Sequence, residues 1–249
     1  KAADVFAERA SSVLDPDTSR ALYNRLARIA EQHLEDDARA VEAYTRAIEQ
    51  AGDDPESLSA LDRLYTKMQA WSELGEILDR RIQASMDPAE RSELLVRLGT
   101  QKQEQFTDLR GAFRAFQEVL DRDASEPRAV AAMESLLEDD ELAPDVVEVL
   151  EPVYRQTEAT EKGAALYDVR IHLAETTGER VRFLQDQALV YETELGDAGR
   201  ALDALRRAFE LDPRDEVLAG DLERLAPTVE GGWESLRGLI ERVLEESFD

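Results

Sequence analysis

Side chains able to do acid–base or metal chemistry are few and scattered. There are two histidines, His33 and His172, and no cysteine. The histidines lie in separate periodic segments with no ligand-type spacing between them. His33 falls near the end of its segment, where a helix dipole favours a cation. Lack of cysteine removes disulfides, thiolate nucleophiles and Cys-based metal sites, without setting a compartment. Four aspartates precede proline, in Asp15-Pro16, Asp54-Pro55, Asp87-Pro88 and Asp212-Pro213. That pairing opens a helix: Asp accepts from free N–H groups, and proline at the first helical position loses no needed donor. Asp53-Asp54 and Asp139-Asp140-Glu141 lack the alternation and central glycine of a calcium loop. There is no phosphate-binding glycine loop, dinucleotide turn or nucleophile elbow. No catalytic, cofactor-binding or metal-ligating residue is expected, and no enzyme.

The composition has to position something other than an active site. Of 249 residues, 43% are hydrophobic, 35% charged and only 6% aromatic, with 8 Pro and 12 Gly. That is a helical composition rather than a sheet composition. No run of about 18 apolar residues exists, so membrane insertion is not expected. Acidic residues number 56 against 30 basic ones, a net charge of −26, and a nucleic-acid backbone would be repelled. The acidity either keeps a long molecule soluble or suits a neutral to basic partner.

Internal repetition organises the chain. Shifted by 72 residues, Ala40, Ala43 and Tyr44 fall on Ala112, Ala115 and Phe116, Pro55 falls on Pro127, and Leu26-Ala27 on Leu98-Gly99. A further shift of 89 carries Ala112 onto Ala201 and Phe116 onto Leu205. Caps and helical periodicity predict about fourteen helices and no strand. They run at about 2–14, 16–34, 37–51, 56–68, 70–84, 88–106, 109–122, 127–138, 144–157, 161–176, 179–195, 198–211, 213–226 and 232–247. The helix at about 144–157 is read as the extra one, responsible for the 17 added residues. Pro152 within it should remove a hydrogen bond and kink it.

The stretch from Leu184 to Pro213 carries the clearest motif. Ala188 is followed by Tyr191, then come Ala201, Leu205 and Ala208, and then Pro213. This resembles the tetratricopeptide repeat, with one extra residue in the turn. The resemblance is strong at about 20–51, 92–122 and 182–211 and weaker between them, where Trp71 or Trp233 opens the second helix. It implies an all-α, right-handed α-solenoid of antiparallel helix hairpins, one domain over 1–249. The units are a partial one at 1–15, then 16–87, 88–176 with the extra helix, and 177–249. Ala27, Gly99 and Ala188 would sit at the crossing of each hairpin, facing Ala40, Ala112 and Ala201. A larger side chain there would overpack it.

The resemblance also implies a protein-interaction scaffold whose first helices line a concave groove. The groove-facing candidates are Asn24 and Arg28, then Val96, Thr100 and Gln103, then Gln185, Leu189 and Glu192. Val96, Thr100, Gln185 and Leu189 break the Lys/Asn pattern with which family members clamp a terminal carboxylate. The expected partner is a protein or peptide, neutral to basic. The alternative is a helical regulatory part of a larger enzyme or signalling protein. Val5, Phe6, Trp233 and Ile240 read as ordinary repeat core, so the chain reads as an excerpt of a longer array. A change of superhelix direction after about residue 137 is expected, with the acidic turn Glu138 to Glu141 as its hinge-side loop and the irregular concavity there as a second candidate partner site.

Overall fold

The computed structural model describes residues 5, 8–10 and 12–248, with side chains as far as Glu245. Among these residues every regular element is helical. The chain forms two compact units, 1–122 and 123–249. Residues 5, 8–10 and 12 are helical. After them the first unit holds α1 (Pro16–His33), α2 (Asp37–Ala51), α3 (Pro55–Met68), α4 (Trp71–Ala84), α5 (Pro88–Phe106) and α6 (Leu109–Leu120). The second holds α7 (Pro127–Ser135), α8 (Ala143–Gln156), α9 (Thr160–Leu173), α10 (Thr177–Thr193), α11 (Ala198–Leu211), α12 (Glu216–Leu225) and α13 (Gly232–Phe248). Helices α7 and α12 each end in a 3₁₀ turn, at Leu136–Glu138 and Ala226–Thr228. The predicted helices at 127–138 and 213–226 are therefore each an α-helix finished by a tighter turn.

Caps at repeat-equivalent positions start these helices. Asp15, Asp87 and Thr176 accept from the first turns of α1, α5 and α10. Asp36, Asp108 and Asp197 do so for α2, α6 and α11. Asp54, Glu126 and Asp215 serve α3, α7 and α12. Each accepted bond satisfies a donor that the helix cannot pair internally. Asp212-Pro213, expected to open a helix, instead lies in the preceding turn, where the Asp212 carboxylate accepts from the Arg214 N–H at 3.2 Å. The cap has moved to Asp215, because the hydrophobic register of Leu218, Leu222 and Leu225 begins one turn later.

Within each unit consecutive helices pack on one another, and the closest pairs are α1 with α2, α5 with α6, and α10 with α11. These are the three hairpins with the strongest motif. Ala27, Ala40, Ala112 and Ala201 have no exposed surface, and Ala188 has 3%. A Cβ on Gly99 would overlap the ring of the fully buried Phe116. Alanine suffices where the facing residue is Tyr44 or Leu205, and only glycine fits opposite Phe116.

Helix starts give the repeat register. Pro16 and Pro88, Asp37 and Leu109, Pro55 and Pro127, and Trp71 and Ala143 each open helices 72 residues apart. Pro88 and Thr177, Leu109 and Ala198, Pro127 and Glu216, and Ala143 and Gly232 each open helices 89 apart. So α8 is the counterpart of α4, and its buried Val146, Leu150 and Tyr154 correspond to Leu74, Leu78 and Ile82. At a shift of 72 the helix left without a counterpart is α9, whereas at a shift of 89 α9 pairs with α4: Trp71 and Thr160 each open a helix of 14 residues, and Gln69 and Glu158 before them are both left-handed. Helix α9 has no apolar stripe of its own, because it packs against both α8 and α10. Helix α8 runs through Pro152 to Gln156 without a break. Val5, Trp233 and Ile240, read as core, are 56%, 53% and 42% exposed, because no described helix covers that side of them. Phe6 lies outside the described residues.

Candidate functional site

The eight groove candidates fall into three register positions on first helices. Asn24, Val96 and Gln185 share one. Asn24 and Val96 are buried, at 4% and 8% exposure, and Gln185 is half-buried. The Asn24 amide oxygen accepts from the Ser57 hydroxyl at 2.9 Å, joining α1 to α3 inside the protein. This corrects the expectation for Asn24 and Val96: the position packs toward the following first helix instead of facing outward. A buried amide that is hydrogen-bonded to its neighbour is a structural feature.

Glu31, Gln103 and Glu192 share the second position. Both carboxylates form paired hydrogen bonds to an arginine of the next first helix. Arg224 donates to Glu192 at 2.5 and 2.9 Å, and Arg63 donates to both oxygens of Glu31. The Arg63 guanidinium holds the Glu31 carboxyl below its usual range, and Arg224 does the same for Glu192. Fork-to-fork pairing fixes orientation as well as charge. The same device recurs in both units, so Glu192 is a tie between α10 and α12. Gln103 is half-buried.

The third position, Arg28, Thr100 and Leu189, reaches solvent. Arg28 pairs with Glu56 at 3.0 Å across α1 and α3, and both side chains are about half exposed. They line an open cleft of about 520 Å³, with Glu31, Ser59 and Arg63 along its sides and Tyr44 among its lining residues. Thr100 is half-buried. In the second unit the register-equivalent residues of Arg28 and Glu56 are Leu189 and Val217, 58% and 67% exposed. A charged pair in one unit is thus an apolar pair of positions in the other, beside the same Glu–Arg tie.

A different cleft borders α9. It encloses about 530 Å³ between α8, α9 and α10, with Leu166, Tyr167, Val190 and the Tyr154 ring among its lining. The Tyr154 hydroxyl donates to Glu134 at 2.7 Å, and burial with that bond holds the phenol protonated well above its usual range. Arg170 lies over the Tyr167 ring, 5.4 Å from its centroid, and pairs with Glu151 at 2.6 Å. Burial first, then the charges of Asp186, Glu151 and Glu194, push the Tyr167 phenol up. Sequence reading missed this cleft because α9 has no apolar stripe to show which side packs. The available signal was Gln187, which stands where Leu26 and Leu98 stand in the other copies. Its amide, 1% exposed, donates to the Ala164 carbonyl and the Asp168 carboxylate of α9 at 3.3 and 3.1 Å.

The remaining chemistry-bearing residues do not assemble. Among the described residues no group of three or more His, Asp or Glu could hold a metal ion. His33 belongs to the first unit, and His172 approaches only Asp140, at 3.6 Å, with both exposed. In the acidic turn the Asp139 carboxylate accepts from the Leu142 N–H at 3.0 Å, closing the turn before α8. No described helix is long and apolar enough to cross a membrane.

Helical hairpins repeated in register, three of them with small residues at their crossings, make this an all-α protein of tetratricopeptide-like helical hairpins. The chain is similar to the solved structure of a tetratricopeptide repeat protein from Parabacteroides merdae, at 16% identity over 83% of this chain and 84% of that one, with a TM-score of 0.36. It is also similar to YrrB, described as a TPR protein with an unusual peptide-binding site, at 12% identity over 89% and 99% of the two chains, TM-score 0.34. A third is Acl4, an assembly chaperone of RpL4, at 17% identity over 98% and 99%, TM-score 0.23. No protein-family model and no curated protein matches the chain.

Proposed function

We propose that this protein is a non-catalytic interaction scaffold that holds a peptide or partner helix against the exposed face of its first helices. The observation that carries the reading is Leu189 with Val217. Two large apolar side chains stand more than half exposed at positions where the other unit carries an ion pair. Folding alone gains nothing from leaving them in water, and apolar surface rimmed by a polar tie is the composition of an interface. The net charge of −26 favours a neutral to basic partner, since it steers cations at low salt.

The test is affinity capture with the wild type and with the double variant Leu189→Glu/Val217→Glu. Both substitutions are on exposed positions, so helicity should be unchanged. A partner that the wild type retains should be lost from the variant, and its association should slow as ionic strength rises. Equal capture by both proteins would place binding elsewhere.

A further inference from the structure

The cleft between α8, α9 and α10 borders the first helix that carries Leu189 but rests on its own observations. One of its residues breaks a local rule of stability. Gly163 lies within α9, where glycine is destabilising relative to alanine. No packing reason requires it: the nearest atom to a methyl at this position would be the Tyr154 Cβ, at an ordinary 4.0 Å. Gly163 instead lines the cleft and keeps its floor open. Glu158, in the turn from α8 to α9, has φ +56°, the left-handed helix-end turn that Glu35, Gln69 and Thr107 also make. It too lines the cleft.

Charge supplies the chemistry. Arg155 and Arg170 share the one carboxylate of Glu151. The exposed Glu158 and Glu194 complete the charged lining, three glutamates against two arginines with a net charge of −1, and among the described residues neither pairs with a cation. The floor between them is apolar, from Leu166, Val190 and Ala164. A volume of about 530 Å³ lies within the range of ligand-binding clefts. We propose that this cleft binds a peptide segment presenting an apolar side chain next to an arginine. The apolar group fills the floor, and the guanidinium meets the free carboxylates of Glu158 and Glu194.

The probe is a short acetylated and amidated alanine peptide carrying one Leu-Arg pair. Its control has citrulline, neutral and nearly isosteric, in place of arginine. Affinity is measured by fluorescence anisotropy at physiological salt. The wild type should prefer the arginine peptide by about tenfold, the scale of a charge-assisted contact. Gly163→Leu should abolish binding while raising the unfolding midpoint, which separates blocking from misfolding. Glu158→Gly, likewise stabilising, and Glu194→Gln should each remove most of the preference for arginine. Glu104→Gln, on exposed α5 in the other unit, makes a comparable change in net charge and should leave it intact. Equal binding of both peptides, equal loss in all acidic variants, or undiminished binding by Gly163→Leu would overturn the proposal. The Leu189→Glu/Val217→Glu variant should bind the peptide normally, so this proposal and the first-helix reading fail independently.

Discussion

At the scale of single residues, the most consequential polar group is Asp62. Its side chain is 5% exposed and receives Arg97 at 2.7 and 2.9 Å, with Arg81 as a second partner, so α3, α4 and α5 meet on one carboxylate. Burial raises its pKa, but the hydrogen bonds and charges of Arg97 and Arg81 outweigh that and hold it below the usual range. Asp62→Asn should cost about 3 kcal/mol in urea unfolding, at the low end for a broken buried pair because both arginines keep contact with water. The sign of the pH dependence follows from the lowered pKa. Stability from this group is present above the ordinary carboxylate value, 3.8, and is lost as pH falls through the folded value. Wild type should therefore lose stability on acidification more steeply than Asp62→Asn. A second residue-scale test is Gly99→Ala. It forces the Phe116 ring to move and should cost about 1–3 kcal/mol, whereas Ala27→Gly at the equivalent crossing should cost about 1 kcal/mol or less through helix propensity.

At the scale of elements, capping residues and apolar spacing were legible because they act locally. The bounds 37–51, 88–106 and 198–211 need no tertiary information: each has a capping carboxylate and a single buried face. The small residues at the crossings were legible for the same reason, since the motif is itself a packing constraint. What the sequence could not show was which positions on the first helices stay wet. Arg28 and Asn24 lie one turn apart, yet one is exposed and the other is hydrogen-bonded inside. That difference depends on the neighbouring helix and leaves no periodic trace. Helix α9 packs on two sides and so has no apolar stripe to read. Pro152 gives the element-scale prediction. It is exposed in the interior of α8 and forfeits one backbone hydrogen bond, so Pro152→Ala should stabilise the protein by up to about 3 kcal/mol. A loss of stability in thermal unfolding would mean that the ring is itself a packing element.

At the scale of the whole molecule, we propose that the chain is a repeating pair of hairpins into which one helix, α9, has been inserted. The joins support this. Between α4 and α5 lie Ser85, Met86 and Asp87; removing 157–173 would leave Ala174, Glu175 and Thr176 between α8 and α10, a join of the same length. Asp87 and Thr176 are both N-caps, and Ser85 and Ala174 are both extended at the ends of their helices. The cost of the deletion concentrates at Gln187, whose bonds to Ala164 and Asp168 disappear. An orphaned buried amide costs about 1–3 kcal/mol, and leucine, found at the equivalent Leu26 and Leu98, removes that cost. The most direct measurement is urea unfolding, followed by far-UV circular dichroism, of the protein lacking 157–173 and carrying Gln187→Leu. An inserted α9 predicts a helical protein that unfolds cooperatively, and one more stable than the deletion with Gln187 retained. A non-cooperative transition, or helix loss well beyond the deleted residues, would show that α9 is a founding part of the fold and not an insertion.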